Sequence, residues 1–166
     1  RLAYFIFFLF ISCNNETEWK YLFNGENLDG WEIKIREHKI GENFKNTFKV
    51  DNGAIKVSYE EYDEFDKKFG HIFYVKEKFK NYHLSLDYKF SGSHLKGAPG
   101  WSVKNSGIML HCQDPHTMLV DQEFPVSSEA QLLGGLGEGE RSTANMCSPG
   151  TDVDIDGSLA QYHCIN

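Results

Sequence analysis

The sequence is poor in proline and cysteine, and it has no apolar run long enough to cross a membrane. Its 166 residues include four prolines, four cysteines and fifteen glycines. Many glycines with few prolines indicate a chain with frequent turns rather than a stiff linker. The apolar run near the N-terminus is much shorter than the roughly 20 residues that a transmembrane helix needs. The length is sufficient for one domain with a hydrophobic core.

Basic residues are the second shortage. Lys and Arg total 17 against 24 Asp and Glu, which gives a formal net charge of −7. The chain also has no long basic run. Non-specific binding to nucleic acid depends on Lys and Arg that neutralise phosphates, so nucleic acid is excluded as a partner. Attachment to an anionic membrane by charge alone is excluded for the same reason.

Common short catalytic motifs are missing as well. The sequence contains no G-x-S-x-G, no P-loop and no H-E-x-x-H. Residues 152–157, DVDIDG, begin like a calcium loop, but the twelfth position falls on His163, where such a loop needs a bidentate Glu. We therefore reject an EF-hand, and we expect no metal and no cofactor.

The first thirteen residues, RLAYFIFFLFISC, differ from the rest of the chain. They combine one basic residue, an apolar run and a Ser-Cys pair, an order typical of a secretory signal peptide. A small residue before Cys13, followed by polar residues, resembles a bacterial lipoprotein signal in which that cysteine is lipidated. We expect a periplasmic or lipid-anchored outer-membrane protein of the bacterial cell envelope. An ordinary signal peptide on a secreted protein is the alternative.

Three further cysteines remain, Cys112, Cys147 and Cys164. Export places them in an oxidising compartment, where a disulfide is stable. Cys147 and Cys164 are close in sequence and flank a predicted hairpin, so we predict a disulfide between them and a free Cys112. The alternative is a metal site built from His111, Cys112, Cys147, His163 and Cys164. No C-x-x-C spacing supports that site.

Alternation of apolar and polar residues dominates the chain after residue 18. Residues 82–90, YHLSLDYKF, alternate throughout, which predicts a half-buried antiparallel strand. Residues 48–59 are two alternating runs joined by Asn52-Gly53, a strong hairpin signal. Further strands are predicted at 31–36, 71–75, 106–111 and 129–135, and a hairpin at 152–164. Residues 60–69 are long enough for a helical turn at most. The sequence therefore predicts a single all-β domain over 19–166, an antiparallel β-sandwich.

Polar side chains stand at both ends of one short predicted strand, residues 105–112, NSGIMLHC. Alternation places Gly107 and His111 on one of its faces, and it places Glu129 and Gln131 on one face of the strand 129–135. If the two strands are neighbours, His111 would lie near the carboxylate and the amide. Gly107 would leave room for a ligand to approach the backbone. The alternative is that Glu129 and Gln131 simply face water.

Five stretches, in order, resemble the 3-keto-disaccharide hydrolase domain family. They are YLFNGENLDGWEI, FKVDNGAIKV, NYHLSLDYKF, NSGIMLHC and SEAQLLGG, and the resemblance runs from about Trp19 to Cys164. It implies a jelly-roll sandwich similar to the concanavalin A-like lectins and glucanases. The later Trp-containing strand and second Asn/Asp-Gly hairpin of that family are not found, so we expect that C-terminal strands are missing.

The resemblance also implies a reaction, the hydrolysis of 3-keto-disaccharides. A ketone at C3 of a sugar acidifies the proton at C2. The enolate that forms can expel the group at C1, and water then adds. Such a site needs a base, an acid and donors for the enolate oxygen. Glu129 and His111 are the candidate catalytic base and acid.

The substrate-binding residues come partly from the resemblance, which places Asn105, Ser106, Glu129 and Gln131 in the site. Our hypotheses for the roles are that Asn105 and Gln131 donate hydrogen bonds and that Arg141 stabilises an oxyanion. Trp101 would stack on a sugar face. The expected partner is an oxidised carbohydrate. A non-catalytic carbohydrate-binding module of the cell envelope is the alternative function, and a structural envelope protein is the third.

Overall fold

The computed structural model describes residues 18–155, 158–161 and 164–165. These residues form antiparallel strands and no α-helix, which confirms the predicted all-β sandwich class. The strands are β1 (Trp31–Ile35), β2 (Phe48–Asp51), β3 (Ala54–Val57), β4 (Gly70–Tyr74), β5 (Asn105–Leu110), β6 (Ser128–Leu133), β7 (Asn145–Cys147), β8 (Asp152–Ile155), β9 (Ser158–Gln161) and β10 (Cys164–Ile165). Within those ranges, no helix has the length and apolar character that a membrane span requires. Cys13 and His163 lie outside the described residues.

The hydrophobic core forms where β1 meets the β2–β3 hairpin. Asn52 and Gly53 take φ of 51° and 75° at the hairpin turn, the left-handed conformation that the Asn-Gly pair was expected to supply. β1 pairs with β4, and alternation along β1 turns Ile33 and Ile35 to one face, where both pack with Phe48. This buried contact joins the hairpin to the β1–β4 sheet.

The opposite face of the β1–β4 sheet binds the loop that follows β5. The Lys34 Nζ donates to the carbonyl oxygen of Val120 at 2.9 Å, and the His71 Nε2 lies 2.8 Å from that of Glu123. Burial lowers the pKa of Lys34, and it lowers the pKa of His71 to about 4. His71 is therefore neutral at pH 7, and its Nε2–H donates to the carbonyl. These side chains give the loop carbonyls the partners that a neighbouring strand would otherwise supply.

β5, β6, β7 and β10 form a four-stranded sheet in the order β10-β7-β6-β5. Cys164 stands directly opposite Cys147 in the β10–β7 pair, and the two form the disulfide that the sequence favoured. The alternative metal site is therefore not available to these two sulfur atoms. β8 and β9 pair with each other, which gives the hairpin predicted within 152–164.

The strand predicted at 82–90 is wrong, because these residues belong to no strand. The segment nevertheless lies beside β5 and runs antiparallel to it. The Tyr82 ring is 5.6 Å from the ring of His111, just after β5, and Phe90 lies against Gly134, whose N–H bonds to Lys104 just before β5. Residues 60–69 contain turns and no helix.

Candidate functional site

One face of the four-stranded sheet carries a row of polar side chains. The register sets Gln131 opposite Gly107 on β5 and opposite Asn145 on β7, and it sets Glu129 opposite Met109. Side chains of directly paired residues share a face. Glu129, Gln131 and Asn145 are only 2%, 8% and 6% exposed. The alternative in which Glu129 and Gln131 simply face water is therefore wrong.

The carboxylate of Glu129 occupies the space above Gly107. A Cβ atom built at residue 107 would lie 2.0 Å from the Glu129 Oε1, a distance that no real side chain tolerates. Only glycine therefore fits at this position while Glu129 keeps its orientation. The Glu129 side chain leans from its pairing partner Met109 toward the beginning of β5.

An amide pair extends this row across the sheet. Asn145 donates from its Nδ2 to the Gln131 Oε1 at 2.9 Å, and its own Oδ1 accepts from the Ser142 hydroxyl at 2.9 Å. These bonds fix which way both amides point. Neither Asn145 nor Ser142 was predicted from the sequence. The spacing could have indicated Asn145, because it stands two residues before Cys147 and side chains two apart in a strand share a face.

Arg141 and Asn105 meet at the beginning of β5. The Arg141 Nη1 donates to the carbonyl oxygens of Val103 at 2.6 Å and Gly134 at 3.0 Å. The Arg141 Nη2 and the Asn105 Nδ2 both donate to the carbonyl oxygen of Trp101, at 3.4 Å and 3.1 Å. A guanidinium has five N–H groups. Two of them remain for a ligand after these three bonds.

Trp101 adds an aromatic surface beside Arg141. Its ring stacks on Phe69 with centroids 5.9 Å apart and planes 4° from parallel. The residue is nevertheless 52% exposed, because only one face of the indole is covered in this way. An indole supported from one side and open on the other offers a flat surface on which the apolar face of a sugar ring can lie.

Two of the predicted residues lie elsewhere. Ser106 pairs with Leu132 and points to the opposite face of the sheet, where it is exposed. His111 follows the end of β5, about 20 Å from Asn105 at the usual rise per residue of a strand. No hydrogen bond or ion pair joins His111 to Glu129. Trp101, Asn105 and Arg141 are joined at the beginning of β5. Glu129 and Gln131 lie on the same sheet face farther along β5, where Glu129 pairs with Met109 and leans back toward Gly107. Ser106 lies on the opposite face, and His111 lies beyond the end of β5.

Neither a metal ligand set nor a reactive thiol is found among residues 18–155, 158–161 and 164–165. No three His, Cys, Asp or Glu side chains of these residues converge so as to hold a metal ion. Burial raises the pKa of the free Cys112 thiol, which keeps it protonated at neutral pH.

Comparison with known proteins gives a family match over most of the chain. Residues 18–161 match a family described as the 3-keto-alpha-glucoside-1,2-lyase-like domain. No curated protein and no solved structure matches the chain. The matched range includes β1 to β9 and every residue of the polar row, and β10 lies beyond it. The chain belongs to the family of 3-keto-alpha-glucoside-1,2-lyase-like domains.

Proposed function

We propose that the chain acts on 3-keto-glycosides, first as a lyase and then by hydration. A base takes the proton from C2, and the electron pair of that bond forms an enolate with the C3 ketone. The enolate expels the oxygen substituent at C1, which leaves with the proton that the base has taken, so that the base is again free. Water then adds its oxygen to C1 and a proton to C2. The observation that carries the proposal is one carboxylate held on the same sheet face as several hydrogen-bond donors.

Glu129 is the base in this proposal. Its carboxylate lies above Gly107, where no side chain intervenes between it and the backbone of β5. Gln131 lies beside it, and because the Gln131 Oε1 accepts from Asn145, the amide nitrogen is the group left to donate. Glu129 is 2% exposed, so substrate binding has to displace the side chains that cover it. Such closing and opening of a site around its substrate is common in enzymes.

The enolate oxygen and the sugar ring are held at the beginning of β5. The two remaining N–H groups of Arg141 stabilise the negative charge that develops on the C3 oxygen. Asn105 donates a second hydrogen bond after it releases the Trp101 carbonyl. The open face of Trp101 supports the sugar. Ser106 and His111 have no role here because of where they lie.

Turnover of a 3-keto-disaccharide by Glu129→Gln tests the base. We expect release of free glucose to fall at least about a hundredfold, since a glutamine cannot accept the C2 proton. Affinity for the sugar should change little, because the amide preserves the shape of the side chain. Glu123→Gln is the matched control. Glu123 is a carboxylate on the preceding loop that lies 3.7 Å from Arg36 and outside the site. Equal turnover by wild type and Glu129→Gln would overturn the assignment.

A non-catalytic carbohydrate-binding module is the second candidate function, and one observation favours it. The ring of Trp101 is exposed and the donors beside it, Asn105 and Arg141, are half-buried, whereas the carboxylate of Glu129 is buried. For a binding module, Trp101→Ala weakens sugar binding and the wild type shows no turnover. For the enzyme, Trp101→Ala raises the KM for a turnover that the wild type performs.

A further inference from the structure

A second concavity lies at the opposite end of β5 from the candidate site. Its volume is about 380 Å³, within the range of sites that hold small ligands. It is lined by Lys80, Asn81, Tyr82, His83, Leu110 and His111. None of the residues of the polar row takes part in it.

The side chains that line the hollow are basic or neutral, whereas the chain as a whole carries a net negative charge. The chain carries a net charge of −7, yet the hollow contains a lysine, two histidines and an amide and no carboxylate. Lys80, Asn81, His83 and His111 form no hydrogen bond or ion pair with any other described residue. Lys78, two residues away, differs, because its Nζ lies 3.4 Å from the Asp114 carboxylate. The charge of Lys80 is therefore available to a ligand.

His111 reaches the hollow through an unusual backbone conformation. Its φ is 48°, in the left-handed region that residues other than glycine rarely adopt. This turn ends β5 and sets the imidazole 5.6 Å from the ring of Tyr82, with the ring planes tilted by 46°. Eight other non-glycine residues among those described also have a positive φ, so the conformation positions this imidazole but does not by itself mark a site. Here the conformation gathers a second imidazole beside Lys80 and His83.

We propose that this hollow is a second binding site, for the carboxylate of an acidic saccharide. The ammonium group of Lys80 supplies the charge, while Asn81 and the imidazoles of His83 and His111 supply directed hydrogen bonds. Tyr82 and Leu110 form the apolar wall against which a sugar ring packs. The site does not depend on the proposed lyase reaction, because it shares no residue with it.

Calorimetric titration of the whole chain at low salt tests this site, with sodium glucuronate and glucose as probes. We expect glucuronate to bind at least about tenfold more tightly than glucose, since the two sugars differ in the carboxylate. Lys80→Gln should weaken glucuronate binding by about tenfold or more. Lys78→Gln, a lysine of the same segment that is paired with Asp114, should leave it unchanged. A double variant, His83→Gln with His111→Gln, should weaken it further.

Sodium sulfate as a competitor separates charge from sugar recognition. If sulfate displaces glucuronate only at much higher concentration, the apolar wall contributes and the acidic saccharide is supported. If sulfate binds as tightly as glucuronate, the saccharide part of the proposal is overturned. Equal affinities for glucose and glucuronate, no heat from either, or an unchanged affinity in Lys80→Gln would overturn the site altogether. Unchanged thermal midpoints for the variants exclude unfolding as the cause.

Discussion

β5 and the segment 82–90 lie side by side, but only the segment alternates apolar and polar residues along its length. β5 pairs with β6 along its whole length, from Asn105↔Leu133 to Leu110↔Ser128. The segment 82–90 belongs to no ladder, and Leu84 and Leu86 are 43% and 45% exposed. The two differ in that β5 has a paired strand, β6, and the segment 82–90 has none. Alternation indicates that one face of a strand is to be covered, whereas the hydrogen bonds that define a strand need a neighbour with free N–H and C=O groups.

The largest expected effect compares a packed side chain with an exposed one. Ile35 is completely buried and Leu86 is 45% exposed. Ile35→Ala should lower the free energy of unfolding by roughly 2–5 kcal/mol, because it removes buried methyl groups and leaves a cavity. Leu86→Ala should change it by no more than about 0.5 kcal/mol. Urea unfolding followed by tryptophan fluorescence measures both. A cost above about 1 kcal/mol for Leu86→Ala would mean that 82–90 is packed in solution, and the comparison would fail.

The same contrast shows how far sequence reasoning extends. The β2–β3 hairpin follows from Asn52-Gly53, because the turn depends on two adjacent residues. The shared face of Glu129 and Gln131 follows from alternation alone. Contacts between distant parts of the chain carry no such local signal. The hydrogen bond from Lys34 to the carbonyl oxygen of Val120 joins residues 86 positions apart. No local sequence pattern around either residue predicts it.

In the candidate site, too, local patterns were predictable from the sequence and contacts between distant residues were not. Strand neighbours were predictable once two strands were recognised, so Glu129 and Gln131 were expected on one face beside β5, and they lie there. The space above Gly107 was expected to admit a ligand, but the carboxylate of Glu129 fills it. The position of His111 was not predictable, because its left-handed φ of 48° takes it out of the alternation that the rest of β5 obeys. Arg141 was expected to serve a substrate oxyanion, yet it also holds the carbonyls of Val103 and Gly134, which only the fold brings near it.

A second, somewhat smaller effect compares two histidines, His71 in the packed region and His83 in the unpaired segment 82–90. Burial lowers the pKa of His71 to about 4, and its ring lies 5.6 Å from that of Phe124. A histidine in the unfolded chain titrates near 6.5. Between these values the unfolded state binds more protons, so the free energy of unfolding rises with pH and is lost as the pH falls from about 6.5 toward 4.

The loss at pH 4 should amount to at most about 3 kcal/mol for His71. His71→Gln should remove this contribution, because a glutamine amide can still donate to the carbonyl of Glu123 but does not titrate. His83→Gln, at an exposed position, should keep the full dependence on pH. Urea unfolding at a series of pH values between 4 and 7 measures the slopes. Parallel slopes for wild type and His71→Gln would show that His71 is solvated in the folded protein.

The smallest effect on stability is expected from a charge placed on the apolar side of the unpaired segment 82–90. Unpaired extended backbone with exposed apolar side chains is a recognised route to association between chains. We expect the wild type to self-associate in sedimentation equilibrium and Leu86→Lys to lower the association constant roughly tenfold or more, because lysine on an edge opposes strand pairing. Leu119→Lys is the matched control, since Leu119 is 68% exposed but lies outside the segment. If wild type and Leu86→Lys sediment alike, the exposed leucines of 82–90 do not mediate association between chains. The exposure of this segment would then not be sufficient for it to pair with a second chain.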